Sequence, residues 1–252
     1  MKHALADRAG MVLRQVQAHS VLGELFFDTG RWDEAVAEVE AFDAEVKGPM
    51  AACCDLGVAA VIRFHRGEVS AARRALAVAA REAERIGSHV IGPLVLARSL
   101  DRERAGAPAD ALAELTAWLA ENAQGLAEVE DLLPDAVRLA TDTGDLGTAR
   151  ALAGHAEALA VGSEIPHRQA NVLYCRGRLE HDAGQLAAAA DRYGEAGRPL
   201  LSAKALEAAA GAFLGTGNRD QAWAVADRAA EIYISLGAAT DIARLRAGGS
   251  YL

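Results

Sequence analysis

The sequence predicts an all-α fold: a right-handed α-solenoid of about six helical hairpins, closed by a short C-terminal helix. Three observations carry this. A turn phrase recurs six times at steps of 37, 39, 38, 40 and 33 residues, and a fixed phase of that length marks stacked helical hairpins. Apolar residues recur at steps of three and four on both sides of the turn, the period of an amphipathic helix. The chain is 52% hydrophobic but only 5% aromatic, so Ala, Leu and Val dominate, and Ala is the strongest helix former. No stretch has a strand period.

The first hairpin sets the pattern. Val12, Val16, His19, Leu22 and Phe26 precede the phrase Gly30-Arg31-Trp32-Asp33-Glu34-Ala35, and Trp32, Ala35, Val36, Val39, Phe42 and Val46 mark the helix after it. Gly30 takes the turn position, where a Cβ would be strained. Asp33 and Glu34 suit the positive end of the second helix. Trp32 is read as core. Ala35 lies where the two helices cross most closely, and a larger side chain there would cost ~1–3 kcal/mol. The phrase returns with Gly67 and Ala72, Gly106 and Ala111, Gly144 and Ala149, Gly184 and Ala189, and Gly217 and Ala222.

Gly48, Gly87, Gly162, Gly197 and Gly237 each follow a helical run and read as C-caps. Pro49, Pro166 and Pro199 each stand 18 residues before the next turn glycine, where a helix start tolerates proline. Pro134 should kink or start the first helix of the fourth unit. One domain, 1–252, then divides into hairpins 1–47, 48–87, 88–124, 125–162, 163–197 and 198–237, with a cap at 238–247.

The formal net charge of −9 argues against direct nucleic-acid binding, which needs a basic footprint, and against an anionic membrane surface. Cys53, Cys54 and Cys175 are odd in number and two are adjacent, which fits a reducing compartment better than a disulfide framework. The N-terminus does not read as a secretory signal, and no apolar run approaches the ~20 residues that span a bilayer. The expectation is a cytoplasmic protein.

Leu22-Gly23, Phe26, Gly30, Trp32, Ala35, Val39 and Phe42 resemble the tetratricopeptide (TPR) pattern, and the longer period resembles the TPR regions of bacterial signalling proteins. The stretch from Ala229 to Arg246, with Leu236-Gly237-Ala238 and Asp241-Ile242-Ala243-Arg244, resembles the end of the TPR region in large ATP-binding LuxR-family transcriptional regulators of actinobacteria. No phosphate loop of the Gly-x-x-x-x-Gly-Lys-Ser/Thr type occurs in the chain, and nothing after Arg246 would form a helix-turn-helix. The expectation is therefore either an excised middle segment of a regulator or a freestanding protein.

No catalytic constellation, metal site or cofactor motif is expected. There is no His-Glu-x-x-His, Glu180-His181-Asp182 reads as a solvated face, and Cys53-Cys54 as packing. Arg98, Arg102 and Arg104, interleaved with Asp101 and Glu103, read as self-neutralising. The TPR resemblance implies that the first helix of each unit lines a concave groove. Counted back from the turn glycines, the groove has an apolar stretch with Phe27 and Phe64 and a basic stretch with Arg138, Asn171, Tyr174, Arg178 and Lys204. Guanidinium forks beside Asn and Tyr would suit an extended peptide or a carboxylate. The same residues could instead be solvated or pair with Asp142 and Asp182. The functional expectation is a non-catalytic module of a LuxR-type regulator that binds a protein, a peptide or a small effector. A freestanding TPR adaptor is the alternative, and a helical-fold enzyme is the remote one. The sequence leaves the oligomeric state open.

Overall fold

The structure is a computed structural model that describes residues 2–86, 91–122 and 128–248, with side chains from residue 10 onward. Among them lie fourteen α-helices and no strand: α1 (Lys2–Asp28), α2 (Trp32–Val39), α3 (Ala44–Lys47), α4 (Pro49–Arg66), α5 (Val69–Ile86), α6 (Gly92–Arg104), α7 (Pro108–Asn122), α8 (Glu128–Asp142), α9 (Leu146–Ala160), α10 (Pro166–Glu180), α11 (Ala183–Glu195), α12 (Pro199–Gly215), α13 (Arg219–Leu236) and α14 (Ala239–Gly248). Helices pack in sequence-adjacent pairs, α1 on α2, α4 on α5, α6 on α7, α8 on α9, α10 on α11 and α12 on α13. The first members of pairs also touch: α1 on α4, α4 on α6, α6 on α8 and α8 on α10. Gly87 and the boundaries at 87/88 and 124/125 lie outside the described residues.

The turn chemistry is local. Gly30, Gly67, Gly106, Gly144 and Gly217 have φ of 78 to 83°, where a Cβ is penalised. At four of these turns the residue after the glycine donates its amide to the carbonyl five residues back, Arg31 to Phe26 at 2.8 Å, Glu68 to Arg63 at 2.8 Å, Ala107 to Arg102 at 3.0 Å and Asn218 to Phe213 at 2.9 Å. This bond ties off a carbonyl that the helix leaves unpaired. The sixth residue of each of these turns, Ala35, Ala72, Ala111, Ala149 and Ala222, is fully buried.

The fifth turn corrects the sequence register. Gly184 lies inside α11 and is not among the glycines of positive φ; His181 takes the left-handed position instead, with φ 53°. Asp182 follows it, donates its amide to Gly177 O at 3.0 Å, and caps α11 by accepting from the Gln185 amide at 3.0 Å. Counted from His181, the last two steps become 37 and 36 residues. The sixth position is then Leu186, not Ala189. Leu186 fits because Gly177 faces it: a Cβ there would lie 2.7 Å from Leu186 Cγ. Glycine at position 181 would relieve the backbone, so His181→Gly is expected to raise stability by about 0.5–1 kcal/mol, read as a higher thermal midpoint.

Other helix limits also move. Pro134 neither starts nor ends α8, which begins six residues earlier. The second helix of the first hairpin stops at Val39 rather than running through Phe42 and Val46. The buried Lys47 ammonium reaches back to Val39 O and pairs with Asp55 at 2.6 Å, which caps α2 early. On α1, Val12 and Leu22 were expected inside; both are exposed, as are Met11, Leu13, Val21 and Leu25.

The chain also returns on itself. α14 packs on both α13 and α4. Thr240 donates to Phe64 O at 3.0 Å, and Asp241 meets His65 Nδ1 at 2.6 Å, a pairing across 176 residues. Arg198 at the foot of α12 pairs with Asp28 of α1. The helices therefore curve round a shared space.

Candidate ligand cavity

This space is a half-open cavity of about 950 Å³, lined by α4, α6, α8, α10, α12 and α14 and by Leu186 of α11. Successive helical pairs are joined by charges about one repeat apart. Arg66 pairs with Asp33, Arg138 with Glu103, Arg178 with Asp142, Arg168 with Glu130, Arg228 with Asp191 and Arg244 with Glu207, at separations of 33 to 38 residues. Each joins one unit to the next.

Within the cavity the ladder is dense. Arg138 binds Glu103 through two bonds of 2.7 Å and lies 3.4 Å from Asp135. Lys204 reaches across from α12 to both oxygens of Asp135, at 3.0 and 2.9 Å. Burial opposes ionisation of Asp135, but Lys204 and Arg138 outweigh it and hold its carboxyl at about 2. Glu103 is likewise held low: burial opposes ionisation, but the hydrogen bond and the charge of Arg138 together outweigh it. Arg244 donates to Glu207 at 2.8 and 2.7 Å and lies 2.8 Å from Asp241 Oδ1. Against burial, His65 and Arg244 keep Asp241 well below the usual carboxylate range.

Of the residues singled out from sequence, Phe64, Arg138, Tyr174, Arg178 and Lys204 meet at this cavity. Phe27 lines a smaller space of about 110 Å³ that shares Asp135 and Lys204 with the cavity. Asn171 lines neither: its amide donates to Glu130 O at 2.8 Å and its carbonyl accepts from Tyr193 OH at 2.6 Å, which locks α10 to its neighbours. The apolar and basic stretches are not separate zones, since Phe64 and Leu100 share the cavity with the charges. Arg138 and Arg178 are not equivalent either. From His181, Arg178 sits one helical turn nearer its turn than Arg138 does, and it bonds Thr141 at 2.9 Å as well as Asp142. Arg98, Arg102 and Arg104 do not neutralise their sequence neighbours. Arg98 and Arg102 face Glu114, Asp101 pairs with Arg73, and Glu103 with Arg138.

Sequence reasoning missed Asp135 and Asp241. Asp135 did carry a signal: it is the lone charge in the apolar run Leu132-Leu133-Pro134-Asp135-Ala136-Val137, and a buried charge implies a partner. Asp241 had none, because its partner is remote in the chain.

The smaller space has an acidic rim of Glu24, Asp28, Glu128 and Asp131 facing Arg198. Burial pushes the Asp28 carboxyl up to about 6, with Asp131 and Glu24 adding to it against Arg198. A raised native pKa means that the folded state holds the proton more tightly than the unfolded one. Stability from this group is therefore complete below about 4 and falls as pH rises to about 6. Asp28→Asn is expected to exceed wild type by about 1–2 kcal/mol at pH 7.5 and to lose that advantage at pH 4, in urea titrations at both values.

Burial raises the thiol pKa of Cys53, Cys54 and Cys175, so none presents a thiolate near neutrality. Among the described residues no cluster of His, Cys, Asp and Glu could hold a metal ion, and no helix is long and apolar enough to cross a membrane. The chain matches no protein-family model, no curated protein and no solved structure.

Proposed function

We propose that this chain is a non-catalytic ligand-sensing module: a solenoid of about six TPR-like hairpins, of the kind found in LuxR-type regulators, that takes a small effector in its central cavity. One observation carries the reading. The cavity is about 950 Å³, inside the range of small-molecule sites, and its wall includes both α4 and α14. An occupant would touch the two elements whose contact closes the chain. Ligand affinity for the closed arrangement then shifts the balance between closed and open forms.

The test is a thermal-shift screen of small metabolites and peptides against wild type and Gly211→Trp, which fills the cavity; a Cβ at Gly211 meets nothing within 4 Å. A small compound should raise the wild-type midpoint alone and slow amide exchange in α14. Compounds that protect both proteins equally, or protection by other proteins only, would remove the reading.

A second reading, a freestanding adaptor, is favoured by α1. Met11, Leu13, Val21 and Leu25 are more than half exposed there, a patch suited to a protein partner.

A further inference from the structure

We infer that the cavity selects a small organic anion, with a carboxylate or phosphate group on an apolar body. This rests on the ligand-sensing reading and adds the chemical class. Three carboxylates of the wall have both oxygens engaged. Glu103 gives both oxygens to Arg138, Asp135 both to Lys204, and Glu207 both to Arg244, with Tyr233 OH also on Glu207 at 2.7 Å. A cationic ligand would find these three partners taken.

The donors are not all spent. Arg104 forms no ion pair among the described residues; its guanidinium lies 5.6 Å from the Phe64 ring centroid and donates to Phe64 O. The side chain is exposed overall, and the part that is covered lowers its pKa. Tyr174 is 2% exposed, lines the cavity, and its hydroxyl has no hydrogen-bond partner among the described residues. The hydroxyl therefore opens to the cavity and can donate to a group placed there. Arg178 uses Nε and Nη2 on Thr141 and Asp142 and leaves Nη1 unused. Two guanidinium groups, which can only donate, beside a hydroxyl that can also donate, suit oxygens carrying negative charge. Phe64, Leu100 and Leu245 line the same cavity and would cover an apolar body. The net charge of −9 does not oppose this, since recognition here depends on local groups.

The experiment is calorimetric titration of the full chain with benzoate, phenyl phosphate and inorganic phosphate, against benzamide and benzylamine. Benzoate or phenyl phosphate should bind and benzylamine should not. Arg104→Gln should weaken binding at least about tenfold, and Arg104→Lys should restore part of it. Tyr174→Phe should weaken it about threefold or more. Thermal midpoints of the ligand-free variants, close to wild type, would show that they still fold. Binding of benzamide equal to that of benzoate would overturn the anion while leaving the cavity reading intact. Inorganic phosphate binding as tightly as phenyl phosphate would overturn the apolar half. Binding that survives Arg104→Gln would overturn the assignment to these donors. If no probe binds but a neutral compound from the thermal-shift screen does, the anion fails alone; if nothing binds in either assay, both readings fail.

Discussion

Asp135→Ala is expected to cost about 3–5 kcal/mol, the range for removing one partner of a buried ion pair. Asp135 is 3% exposed, and Lys204 has no other carboxylate partner among the described residues. The loss would strand a largely buried ammonium on α12 and remove the charge that joins α12 to α8. Arg138 would keep Glu103, so the damage should concentrate at Lys204. Two measurements check this. In urea unfolding at pH 7, Asp135→Leu/Lys204→Met should recover most of the loss, because replacing both charges with apolar groups removes the stranded ion. In acid, the depressed carboxyl adds a sign. Its stabilisation is complete above its ordinary value of 3.8 and is lost as pH falls towards about 2. Wild type should therefore approach the Asp135→Ala variant between about pH 4 and 2. A single-variant loss under about 1 kcal/mol at pH 7 would mean that the pair does not hold these helices together.

That pair also marks what a sequence can say here. The turns were legible because each needs a residue that tolerates positive φ next to a small residue at the helix crossing, and both requirements act within six residues. Gly30, Gly67, Gly106, Gly144 and Gly217 satisfy the first, and the buried alanines that follow satisfy the second. The fifth turn misled for the same local reason. Gly184 imitates the phrase, while His181 does the turning and Gly177 makes the room that alanine makes elsewhere. Five of the seven candidate groove residues meet at one cavity because helix period and turn phase place them on one side of the first helices. Their partners were less legible. A cation and a carboxylate about one repeat apart can be counted in a sequence, and Arg138 with Glu103 follows that spacing. The closure of α14 on α4 could not be counted. His65 and Asp241 are 176 residues apart, and their meeting depends on the summed rotation of all the pairs between them.

Trp32→Ala is expected to cost about 3–5 kcal/mol, the usual cost of removing a large buried aromatic. Trp32 is 2% exposed and opens α2, the shortest second helix of any pair. Its indole N–H donates to Phe27 O at 3.3 Å, a carbonyl near the end of α1. Its ring stacks on Phe27 at 6.5 Å and lies 5.8 Å from His65. The truncation would therefore loosen the α1–α2 turn and remove a wall from His65, which holds Asp241 and with it α14. Two readouts separate these effects. Equilibrium unfolding gives the total loss. Amide exchange of α14 should also quicken, because His65 lies between Trp32 and Asp241. Trp223→Ala is the control: its side chain is 45% exposed, and surface changes of that kind stay within about 0.5 kcal/mol. Equal losses for the two tryptophans would remove Trp32 from the core. A full loss for Trp32 with α14 exchange unchanged would keep it in the core and cut its link to the closing contact.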